Sequence, residues 1–232
     1  MYFVFSNREA GRQIKLFPEY YFLPVMHQHM KKKKAPEDIF ETKCWEYQVI
    51  KDPYQVFANC FCFADISSFR KTIRQVLLFA SKSKIYNKQE PAALLARFKA
   101  VKSIILAANK INKAKKSGSL SLSLKQFAGK RFYARPYATC PEWEYLPKML
   151  TTKEYQDPYI VFKRFFKYQL VDKWHEDLDL VLDYALAAYS EGCDLNLLQL
   201  YFHLTRLMEA AHLIDVREVT HVGGDLKPNF EV

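Results

Sequence analysis

Glycine is scarce in this 232-residue chain, at six residues, and none falls in the spaced pattern that lets a loop close around phosphate. Cysteine is sparse as well. Cys44, Cys60, Cys62, Cys140 and Cys193 are odd in number and scattered, which argues against a disulfide framework and fits free thiols in a reducing cytoplasm. Long apolar runs are missing: Ile104 to Ala108 and Tyr184 to Tyr189 fall well short of the ~20 residues a membrane span needs. The opening Tyr2-Phe3-Val4-Phe5 gives way at once to Ser6-Asn7-Arg8, too short for the apolar region of a signal peptide. The expectation is a cytoplasmic protein with no membrane partner. No serine or cysteine triad and no paired-carboxylate spacing stands out, and no cofactor is implied.

What the chain does have is material for a packed core. Half of it is hydrophobic, with 18 Phe, 15 Tyr and 3 Trp. Its net charge of +10 is unevenly placed. Residues 1–118 hold 22 Lys+Arg against 9 Asp+Glu, or +13, while residues 119–232 hold 13 against 16, or −3. One half is suited to acidic partners.

The chain also repeats itself. Asp52-Pro53-Tyr54-Gln55-Val56-Phe57 returns as Asp157-Pro158-Tyr159-Ile160-Val161-Phe162. Aligning 52–80 with 157–185 and 94–111 with 197–214 gives 14 identities in 47 positions, about four times what ordinary composition yields by chance. Each copy predicts three helices. The first opens with Asp as N-cap and Pro at the first turn, where a missing amide costs nothing. Its aromatics follow at helical spacing: Tyr54, Phe57, Phe61 and Tyr159, Phe162, Phe166. The second is expected to begin at Ser67 or Asp172, with core stripes Phe69, Ile73, Val76, Leu77, Ala80 and Trp174, Leu178, Val181, Leu182, Ala185. The third starts near Pro91 or Asp194 and carries Leu94, Phe98, Val101, Ile105, Ala108, matched by Leu197, Tyr201, Leu204, Met208, Ala211.

So small a unit cannot bury three such faces alone, and packing the copies about a pseudo-twofold axis would cover the surplus. The expected fold is mainly α: two diverged three-helix copies in one helical body. The segments are 1–44, basic and aromatic; 45–112, the first copy; 113–144, a linker; 145–217, the second copy; and 218–232, a tail. Minor β structure is expected where Leu120, Leu122 and Leu124 alternate with serines and pair with Lys130 to Arg135. Tyr2 to Phe5 and Val216 to Val222 are further strand candidates.

Metal ligation finds little support. Cys60-Phe61-Cys62 lacks the spacing and the second pair of a zinc site, and His27 and His29 stand alone beside a lysine run. His175-Glu176-Asp177 and Asp179 crowd the start of a helix, where acidic groups complement its dipole. Arg206-Leu-Met-Glu-Ala-Ala-His212 resembles the arginine–histidine motif of HEPN-type ribonucleases. That resemblance implies metal-free phosphodiester cleavage across a dimer, with Arg206 holding phosphate and His212 moving a proton. The first copy has Ser103 and Asn109 there. The structural alternative pairs Arg206 with Glu209 or Asp215 and partly buries His212.

The largest coherent signal is basic. Lys31, Lys32, Lys33 and Lys34 form one run; Lys99, Lys102, Lys110, Lys113, Lys115 and Lys116 follow the third helix of the first copy. Lys130, Arg131 and Arg135 alternate with Phe132, Tyr133 and Tyr137, a mixture of cations and stacking rings suited to single-stranded nucleic acid. The alternative is a solvated face with its aromatics turned inward. The second helix adds a contrast, since Lys71, Arg74 and Leu78 become Glu176, Asp179 and Asp183 at matched positions. Such faces could attract one another within or between chains. The function expected is therefore binding: nucleic acid first, an acidic protein or a second copy of the chain next, and a HEPN-like ribonuclease as the enzymatic alternative.

Overall fold

The computed structural model describes residues 50–114, 129–134, 141–187, 193–222 and 225–226, all within one unit of the chain. These residues are mainly helical. Helices α1 (Pro53–Phe63), α2 (Ile66–Ala80) and α3 (Pro91–Lys113) come first, then α4 (Thr152–Gln156), α5 (Tyr159–Tyr168), α6 (Val171–Leu186) and α7 (Leu197–Glu218). No helix among the described residues is long and apolar enough to cross a membrane.

The helix starts follow local chemistry. The Asp52 carboxylate accepts the Tyr54 amide at 2.9 Å and caps α1, with Pro53 in its first turn. Asp157 accepts the Tyr159 amide at 3.1 Å, but it closes α4 and Pro158 takes the cap position of α5, so the second helix start falls one residue later than expected. Three further expected starts move. Asp65, and not Ser67, caps α2 by accepting the Ser68 amide at 2.7 Å. Leu170 occupies the cap of α6 and offers no side-chain acceptor, which leaves Asp172 inside the first turn. Asn196 caps α7 through the Gln199 amide, two residues beyond the expected Asp194. Helix α4 was not anticipated. A capping box makes it: Thr151 accepts the Glu154 amide while Glu154 reaches back to the Thr151 amide.

Strand expectations fare differently. Lys130–Phe132 is a 3-10 turn and not a hairpin strand, and helix α7 runs through Val216 to Glu218. Among the described residues, the two-residue segments β1 (His221–Val222) and β2 (Asp225–Leu226) are the only strands that pair, antiparallel. The candidates at Tyr2 to Phe5 and at Leu120 to Leu124 lie outside the described residues.

Helices α3 and α7 are the hub. They touch each other, and each also packs against helices from both halves of the chain. Helix α1 packs on α3 and α7, as does α5. Helix α2 packs chiefly on α6 and α7, and α6 on α2 and α3. The second helix of each triplet therefore leans on the opposite triplet's third helix. Ala107, Ala108, Ala210 and Ala211 are all buried, small enough to let neighbours approach the hub closely. Two contacts join residues 105 apart in sequence: the Tyr54 and Tyr159 hydroxyls at 3.2 Å, and the Phe57 and Phe162 rings with centroids 6.0 Å apart. Tyr159 gives its proton to Glu218, so Tyr54 donates across this pair. Burial, followed by these hydrogen bonds, pushes the Tyr159 pKa far above its ordinary value.

Candidate nucleic-acid interface

The basic residues divide by exposure. Within 50–114, Lys51, Lys71, Arg74, Lys82, Lys84, Lys88, Lys99, Lys110 and Lys113 are exposed, against Asp52 and Glu90. Within 157–218 the balance is Lys163, Arg164, Lys167 and Lys173 against Asp172, Glu176, Asp179, Asp183 and Asp194. The charge split in the sequence thus becomes a split in surface charge. Lys82, Lys84 and Lys88 share the connection between α2 and α3, which the Tyr86 amide fixes to the Ala185 carbonyl at 2.7 Å.

Several expected contributors are committed elsewhere. Lys102 is buried at 7 % exposure, and its ammonium donates to Asp179 at 2.7 Å. It is a tie between α3 and α6, not part of an open face. Lys110 is exposed, yet it donates to the Ile50 and Lys51 carbonyls. Lys130 pairs with Glu142. Tyr133 is buried and Phe132 half-buried, so these rings pack inward. Lys99 and Lys113 remain outward. Lys31 to Lys34, Lys115, Lys116, Arg135 and Tyr137 lie outside the described residues, as does the side chain of Arg131.

Arg206 and His212 have other partners. Arg206 ion-pairs with Glu154, not with Glu209 or Asp215. His212 is 2 % exposed, its Nε2 lies 3.0 Å from the Tyr133 carbonyl oxygen, and the Phe61 and Tyr145 rings cover it. Glu154 has no solvent exposure and also binds Arg164 at 2.7 Å and the Thr151 amide and hydroxyl, each at 3.0 Å. Burial alone would raise its pKa, but the Thr151 hydrogen bonds and the Arg206 charge outweigh that and hold it below the carboxylate value. His203 stacks on Tyr168 at 4.1 Å, and burial, aided by Arg206, lowers its pKa.

Glu209 takes a part the sequence did not disclose. It accepts Arg70 at 2.9 Å and the amides of Lys148 and Met149 at 2.8 and 2.9 Å. Arg70 in turn donates to the Leu146 and Glu144 carbonyls. This buried pair joins α2, α7 and the 144–149 segment. Lys71 and Arg74 form no ion pair with Glu176 or Asp179; Glu176 meets Lys173 at 3.4 Å instead. Among the described residues no group of three or more His, Cys, Asp or Glu could hold a metal ion.

Comparison with known proteins adds nothing: no family model, curated protein or solved structure matches the chain.

Proposed function

We propose that this chain is an internally duplicated helical binding protein that holds nucleic acid through the exposed basic surface of its first copy. Duplication is supported by three helices recurring in one order, with the paired motifs at matching starts. Contacts between residues 105 apart suit a pseudo-twofold axis, where a residue meets its own equivalent. Binding rests on one observation: nine exposed cations against two exposed acids over residues 50–114. A surface so lopsided repels itself and attracts a polyanion. Catalysis draws less support, because Glu154 already neutralises Arg206 and aromatic rings enclose His212.

The test is the salt dependence of affinity for a labelled single-stranded oligonucleotide. Each neutralised phosphate contributes about −0.7 to the slope of log K against log salt. Replacing Lys82, Lys84, Lys88 and Lys99 by Gln should flatten that slope. Retained binding with an unchanged slope, or no binding even at low salt, would overturn the reading.

A further inference from the structure

Trp143 stands in the middle of the 3-10 turn Glu142–Glu144 and is 65 % exposed, whereas Trp174 is fully buried. The turn beneath it is fastened at several points. Tyr145, the next residue, is buried, and Arg70 donates to the Glu144 carbonyl. The Glu144 carboxylate accepts the Ser67 hydroxyl and the Lys148 ammonium, each at 3.1 Å. Ser67 lies in the first turn of α2, so these bonds seat the 3-10 turn on that helix. Lys71 and then Arg74 continue the Ser67 side of α2, one turn apart, and both are exposed. Neither cation has an ion-pair partner among the described residues. The charges of the turn itself are balanced, since Glu142 pairs with Lys130 and Glu144 with Lys148. An exposed indole on a fixed mount thus stands beside the start of a line of two uncompensated cations.

We infer that Trp143 is a base-stacking residue of the nucleic-acid surface proposed above, and that the ligand there is single-stranded. The inference rests on that reading and adds to it the class of nucleic acid. Lysine and arginine hold phosphates in either form of the polymer. An exposed indole adds affinity only where a base offers it a free face. In a duplex each base is covered by its neighbours in the stack, while an unpaired base can turn one face to the ring. A strand whose phosphates follow Lys71 and Arg74 can bring such a base over Trp143. Phe132 and Tyr133, the rings expected to stack, are turned inward, and Trp143 supplies what they withhold. The backbone that carries the indole is already tied to α2, so little further ordering is needed on binding.

The experiment uses the full-length chain, a labelled single-stranded oligonucleotide of mixed sequence and the blunt duplex of the same sequence. Affinities are read by fluorescence anisotropy across a salt series. Circular dichroism checks that Trp143→Ala and Trp143→Phe keep wild-type helicity, as an exposed side chain allows. Trp143→Ala should bind the single strand about fivefold more weakly or worse, the lower end of what one stacked base contributes. Its salt slope should match the wild type's, because stacking releases no counterion. Trp143→Phe should recover part of the loss, and neither variant should change affinity for the duplex. Unlabelled single strand should also quench the wild type's tryptophan emission, and Trp143→Phe, which keeps Trp45 and Trp174, should lose that quench. Suppose the wild type binds with a salt-dependent Kd. Then equal single-strand affinity in Trp143→Ala, an equal loss for the duplex, or a quench that survives in Trp143→Phe would each overturn the inference and leave the binding surface standing. A wild type that binds neither form at low salt would overturn both.

Discussion

Glu154 is a buried carboxylate with charged partners from two helices, Arg164 on α5 and Arg206 on α7. Removing its charge while keeping its shape isolates what the two arginines gain from it. Glu154→Gln should destabilise the protein by about 2 kcal/mol at neutral pH, less than the ~3–5 kcal/mol of a fully enclosed pair because both guanidinium groups keep solvent. Its pKa is lowered in the folded state. The stabilisation is therefore complete above the unfolded value near 4.3 and disappears as pH falls through the folded value. Urea melts of wild type and variant should differ by a constant amount from about pH 7 to 5 and converge in acid. A gap that widened in acid would contradict this sign. Phe57 and Phe162 offer a check on packing at the same scale. Both are fully buried and face each other, so Ala at either should cost about 3–5 kcal/mol in the same melts.

At the scale of helices, much was written locally. Asp-Pro-Tyr opens α1 and guides the chain into α5, and the stripes Phe69, Ile73, Val76, Leu77 and Trp174, Leu178, Val181, Leu182 are buried as their spacing requires. The misplaced caps have a physical cause. Ser67 and Asp172 are acceptable cap residues, but an acceptor at Asp65 reaches the Ser68 amide in the first turn of α2 and caps that helix two residues before Ser67. The box from Thr151 to Glu154 was readable in the sequence and passed over, because the helix it starts is only five residues long. A cap series should therefore discriminate. Asp52→Ala and Asp65→Ala should each cost about 1 kcal/mol in thermal melts. Asp172→Ala should stay within about 0.5 kcal/mol, since it loses a dipole interaction and no cap bond.

Across the whole molecule, what the sequence could not convey is who meets whom. The charge asymmetry between halves was visible and reappears on the surface. The withdrawal of Lys102 was not, because Asp179 is 77 residues away. Nor was the pairing of Arg70 with Glu209, at a separation of 139. These long links follow from the interlock, in which α2 rests on α6 and α7, and α6 on α3. Neither half then has its core without the other. Fragments 45–112 and 145–217 should each be unfolded alone by circular dichroism and gain helix when mixed; independent folding of either would contradict the interlock. The claim that matters most is that the first-copy surface holds nucleic acid, and lysine-reactivity footprinting with a single-stranded oligonucleotide tests it directly. Lys82, Lys84, Lys88, Lys99 and Lys113 should be protected on binding, while Lys163, Lys167 and Lys173 keep their free-state reactivity. Protection confined to the second set, or spread equally over both, would contradict the account.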